Sequence, residues 1–242
     1  MKDLTYSEAI EMVMRANGGV ATLKQIYEKI WNFKDKEKLR GKTKNNTIQE
    51  RVQRDKRFFR LGLGIYGLTE FKDKLIEKQT PKTEYEKQER LHSKIQGMLL
   101  EIGNSKKFDT YTNDKKCKFK NVALYELATL SNLPQFTYEK IIRDSISFCD
   151  VVWINSRGFA DSVFEVEISS NFRDAFVKFS EMQDFWTNFY CVSTQNRFEK
   201  FKKELQKVAF KNIQNRVKFI LDSEIEKEYE LALYSRQSIF YD

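Results

Sequence analysis

Proline is nearly absent from this 242-residue chain, with 2 residues, and glycine numbers only 9, which leaves few places for long linkers. Histidine occurs once, as His92. A Ser-His-Asp triad would have to use that residue alone, and zinc sites built on clusters of His and Cys are excluded. The 3 cysteines, Cys117, Cys149 and Cys191, lie far apart with no C-x-x-C pair. That pattern fits reduced thiols in a cytoplasmic protein rather than a disulfide framework. No apolar run approaches the roughly 18 residues a membrane span requires. The opening MKDLTYSEAIEM has no apolar core of a signal peptide. Neither membrane association nor secretion is expected.

What is present is apolar, aromatic and charged. Hydrophobic residues make up 40%, enough for packed cores, and 20 Phe with 11 Tyr argue against a disordered role. The net charge of +8 is unevenly placed. Residues 1–82 hold 19 Lys and Arg against 11 Asp and Glu, whereas the remaining 160 residues hold 24 of each sign. A basic field confined to one third of the chain points to a polyanion, because Lys and Arg that neutralise phosphates release condensed counterions. A merely solvated basic surface is the alternative.

In that basic third, Thr5 and Glu8 have capping-box spacing ahead of an apolar stripe of Ala9, Ile10, Val13 and Met14. This predicts a helix over 5–16, closed by Asn17-Gly18-Gly19. A second helix is predicted from Thr22, and a third over 47–55. Two short strands follow in FFRLGLGIYGL, residues 58–68. Three helices and a hairpin is the order of a winged helix. GGVATLKQIYEKI with TIQERVQRDKRFFRLGLGIYGLTE, within about residues 4–70, resembles the HARE-type winged helix. The resemblance implies that the third helix enters the DNA major groove. Lys44, Asn45, Asn46, Gln49, Gln53 and Arg54 are then the DNA-facing set, with Thr43 beside them. Asn and Gln can read adenine edges, while Lys and Arg hold phosphate or read guanine. Helix capping by Asn45 and Asn46 is the competing reading.

Pro81 marks the boundary to the rest of the chain. The domains expected are residues 1–75, a linker over 76–83, and residues 84–242. A long helix is predicted from Glu84 to Ile102, stopped by Gly103-Asn104.

The informative stretch is FCDVVWINSRGFADSVFEVEISS, residues 148–170. Asp150 opens a β-branched and aromatic run, and a turn near Gly158 leads to VFEVEI. Strict alternation puts Val163, Glu165 and Glu167 on one face of that second strand. Pairing of the two strands is expected to set Asp150 roughly opposite Glu167. Three carboxylates on one half-buried patch repel one another and lose hydration. A hard divalent cation held by oxygen atoms relieves both costs. Two solvent-facing glutamates on an edge strand would be the uneventful reading.

Asp150 followed by Phe164-Glu165-Val166-Glu167 resembles the active-site hairpin of the PD-(D/E)XK nuclease superfamily, in its Glu-x-Glu branch of type II restriction endonucleases. Glu167 stands where that superfamily usually carries lysine. The resemblance covers about residues 86–235 and implies an α+β core, a mixed sheet flanked by helices, behind the winged helix. It implies Mg2+ as cofactor, Asp150 and Glu165 as its ligands, and Glu167 as the group that positions or deprotonates water. Double-stranded DNA is the implied substrate and a homodimer the implied assembly; no organic cofactor is expected. Arg173 and Lys178, just past the carboxylates, are candidate phosphate clamps, or else part of an exposed helix face. Glu89, His92 and Gln96 share one flank of the long helix and are candidate supporting groups, as is Glu101. A DNA-binding regulator without activity, and a modification-dependent or repair nuclease, are the alternative functions.

Overall fold

The computed structural model describes residues 4–35, 44–76 and 83–235. The chain divides into two compact units, Met1–Thr80 with Lys120–Val122, and Pro81–Phe119 with Ala123–Asp242. Among the described residues no helix is long and apolar enough to cross a membrane.

The first unit carries α1 (Tyr6–Ala16), β1 (Val20–Thr22), α2 (Leu23–Lys29), α3 (Lys44–Arg54), β2 (Phe58–Arg60), β3 (Ile65–Leu68) and α4 (Lys72–Ile76). The capping box at Thr5 forms, and a second forms at Thr22. The Thr5 hydroxyl accepts from the Glu8 amide at 3.3 Å, and that of Thr22 from the Gln25 amide at 3.0 Å. β1, which the sequence pattern did not suggest, pairs antiparallel with β3, giving the order β1-β3-β2. At three residues it is too short for alternation to show. Helix α3 buries Ile48 and Val52 against Ile10, Met14 and Ile26.

The second unit carries α5 (Glu84–Ser105), β4 (Asp109–Thr112), the two-residue strand β5 (Lys118–Phe119), the second residue of the two-residue strand β6 (Val122–Ala123), α6 (Leu124–Leu127), α7 (Glu139–Asp144) and β7 (Val151–Ile154). There follow β8 (Ala160–Val166), α8 (Phe172–Ser180), β9 (Asn188–Ser193), α9 (Phe198–Leu205), β10 (Val217–Leu221) and α10 (Asp222–Ser235). Its main sheet runs β10-β9-β8-β7-β4. The β4-β7-β8 pairings are antiparallel and β8-β9-β10 are parallel, with α8 and α9 as the crossovers. This is the mixed α/β sheet with flanking helices expected from the sequence.

Phe172, Phe176 and Phe179 of α8 are fully buried against Phe189, Phe201 and Phe210. Burying each such ring stabilises by about 1.5–3 kcal/mol. Helix α5 continues past Gly103 to Ser105 rather than stopping there. A Cβ at Gly103 would sit 2.5 Å from Trp153 Nε1, so this glycine admits the indole to the helix surface instead of ending the helix. The indole nitrogen donates to the Leu99 carbonyl at 3.1 Å.

Candidate active site

Strand β8 is central, and its closing residues are buried from both sides. Glu165 is 2% exposed and Glu167 5%. The edge-strand reading therefore fails. The register also differs from expectation. Val151 pairs with Phe164, so the next step of the ladder brings Asp150 beside Glu165 and not Glu167. The turn closes earlier than expected, with Ile154 opposite Ala160, and a one-residue bulge between Trp153 and Ile154 then sets Glu165 rather than Phe164 against Asp150. Gly158, at φ +81°, takes the left-handed position that this turn needs.

Asp150 is held in place by its neighbours. Its Oδ2 accepts from the Val166 amide at 2.7 Å, and its backbone carbonyl accepts from the Thr112 hydroxyl at 2.8 Å. His92 Nε2 of α5 lies 3.3 Å from the same Oδ2. Burial lowers the His92 pKa, but the hydrogen bond and charge of Asp150 outweigh it, and the net shift is upward.

Burial, with the negative charge of Asp150 adding to it, pushes Glu165 up to about 8 against the opposing pull of Lys178. Burial also raises Glu167, opposed by the hydroxyl of Ser170, which donates to Glu167 Oε2. The Glu167 amide is tied to the Val192 carbonyl at 2.9 Å, and its own carbonyl accepts from the Ser193 hydroxyl at 2.6 Å. The neighbouring strand β9 thus fixes the glutamate backbone on both sides of its Cα. Cys149 and Cys191 are fully buried beside the cluster, and burial keeps their thiols neutral.

Lys178 turns inward. Its Nζ lies 2.6 Å from Glu165 Oε1 and donates to the Phe148 carbonyl at 3.1 Å. One cation thus sits among the carboxylates, delivered by α8 rather than by β8. Sequence reasoning placed Lys178 near the site but not on Glu165, because the way α8 seats on the sheet depends on its packed phenylalanines. Arg173 stays on the exposed face of α8.

The supporting candidates separate. His92 joins the cluster. Gln96 is fully buried, and neither atom of its amide has a hydrogen-bond partner among the described residues. Glu89 is exposed and accepts from the Tyr85 hydroxyl at 2.9 Å. Glu101 is engaged elsewhere, accepting from the hydroxyl of Tyr229 on α10.

In the first unit, Asn45, Asn46, Gln53 and Arg54 are exposed on α3, whose Ile48 and Val52 are buried. Gln49 is half-buried, 3.5 Å from the Tyr27 hydroxyl, and Arg54 pairs with Glu50 at 2.9 Å. Thr43 and the side chain of Lys44 lie outside the described residues.

Residues 74–240 match the family described as Type II restriction enzyme NmeDI C-terminal domain. No curated protein and no solved structure matches the chain.

Proposed function

Since the chain belongs to the family of the Type II restriction enzyme NmeDI C-terminal domain, we propose that it is a magnesium-dependent, site-specific DNA endonuclease of the PD-(D/E)XK type. The observation that supports this most is the pair of buried carboxylates Glu165 and Glu167 beside the half-buried Asp150, with Lys178 set against Glu165. Structural ion pairs seldom gather three carboxylates around one lysine inside a fold, because each added negative charge costs desolvation and repulsion.

The donor set fits a hard cation. Among the described residues no three His, Cys, Asp or Glu side chains form a ready-made metal cage. Mg2+ asks for less, since one or two carboxylates with water and substrate phosphate complete its shell. Asp150 and Glu165 would hold it. When bound, the ion supplies Lewis acidity toward the phosphate and acidifies water. Glu167, its pKa raised by burial, orients the attacking water and accepts its proton. The water oxygen bonds to phosphorus as the bond from phosphorus to the sugar oxygen breaks, and that oxygen takes a proton from a second water to leave as a sugar hydroxyl. Lys178 places positive charge where negative charge gathers on the phosphate. His92 holds Asp150 in orientation.

The first unit supplies recognition in this reading. Its three helices and hairpin act as a HARE-type winged helix, with the exposed polar face of α3 in the major groove. The polar residues there read base edges and Arg54 holds backbone.

Digestion of plasmid and phage DNA by the purified chain tests the proposal. Discrete fragments in magnesium, none with EDTA and none with Glu165→Ala are expected. Intact DNA across several methylation states, together with a tight gel shift, would turn the reading to a DNA-binding regulator.

A further inference from the structure

A polar groove adjoins the carboxylates and takes no part in the chemistry above. It is a cavity of about 390 Å³ where β8 and β9 end, bounded on its other side by the first turns of α5. Sheets with parallel strands bind ligands at this end, where the chain leaves the strands. The lining includes Lys87 of α5, Ser169 two residues past Glu167, and Thr194, Asn196 and Arg197 beyond β9.

Arg197 is held on two sides. One terminal nitrogen donates to the Ser170 carbonyl, and the guanidinium lies 5.1 Å from the centre of the Phe172 ring. Its Nε is buried with no hydrogen-bond partner among the described residues. The groove is also linked to the cluster by contact, because Ser170 bonds both Arg197 and Glu167. One acid faces the cavity as well: Glu84, whose Oε2 holds Lys87 Nζ at 3.2 Å.

We propose that this groove is a phosphate subsite for the DNA strand that runs past the carboxylates. Lys87 and Arg197 neutralise one backbone phosphodiester, Asn196 donates to it, and Glu84 holds Lys87 until the strand enters. A phosphodiester suits two cations set beside hydroxyl and amide donors, since charge-assisted bonds to its oxygens are the strong ones. The inference rests on the nuclease reading and adds residues that position DNA rather than cut it. A phosphate here also steadies the segment that bears Ser170, and through it Glu167.

The test is binding of a short fluorescein-labelled duplex by the full chain, in EDTA so that nothing is cut, over a salt series. Lys87, Asn196 and Glu84 are exposed, so variants at all three should keep the fold, which circular dichroism checks. The double variant Lys87→Ala with Asn196→Ala is expected to bind several-fold more weakly at low salt. Its slope of log affinity against log salt should be shallower by about 1, the signature of one lost phosphate contact. Glu84→Gln frees Lys87 and should tighten binding. An unchanged slope in the double variant, or a Glu84→Gln variant that binds no tighter, overturns the subsite. Cutting is scored separately. A chain that cuts while its variants keep the wild-type slope removes the groove alone, and one that cuts nothing in magnesium removes the catalytic reading.

Discussion

Glu165 is a carboxyl buried between strands and set beside Asp150. Its ordinary pKa of 4.5 holds in the unfolded chain, whereas in the folded protein it is pushed up to about 8. A raised carboxyl favours the fold while protonated. That contribution is complete below about 4.5 and is lost as pH rises through about 8. Glu165→Gln removes the titration. The melting temperature of the metal-free variant, relative to wild type, should therefore climb between pH 5 and pH 8; a constant difference would count against the assignment. The same proton must leave before a cation binds, so apparent magnesium affinity should increase over that range. Lys178→Met should slow cutting by about 100-fold, in line with the loss of one positioned charge. Lys178→Arg should restore part of the rate. A rate unaffected by Lys178→Met would make the lysine merely structural.

Helices and strands show how far local pattern carries. Val151–Ile154 was readable because β-branched and aromatic residues cluster there ahead of a turn signal. The carboxylate motif was readable because alternation put Glu165 and Glu167 on one face. Which of them neighbours Asp150 was not, since neither the closing of the turn at Ile154 and Ala160 nor the bulge beside Trp153 leaves a trace in composition. Strand β4 was hidden in a lysine-rich stretch. Its inward residues are Thr110 and Thr112, and their hydroxyls bond to Asn104 Oδ1 at 2.7 Å and to the Asp150 carbonyl at 2.8 Å. Polar groups satisfied by tertiary partners carry no hydrophobic signal. Gly103 misled for a related reason, because what it serves is the Trp153 ring. Gly103→Ala should accordingly destabilise by about 1–3 kcal/mol, as overpacking does, although alanine is the better helix former. Thermal melts check it, and a stabilised variant would refute the packing argument.

Across the whole molecule the charge is unevenly shared. The basic excess lies in residues 1–82, while the remaining 160 residues balance. In the proposed enzyme the first part holds and reads DNA and the second cuts it. One carboxylate cluster cuts one strand, so a double-strand break calls for two copies of the chain. Mixing wild type with excess Glu165→Ala should then convert linear plasmid product into nicked circles; linear product at unchanged yield would argue against paired action. The most direct test of the central claim is the single-turnover cleavage rate of supercoiled plasmid at saturating magnesium, for wild type, Asp150→Asn and Glu165→Gln. Rapid cutting by wild type, with both variants slower by at least about 1,000-fold yet still bound to DNA, is the predicted result. Cleavage that survives in either variant, or a wild type that binds DNA and never cuts it, would contradict the account.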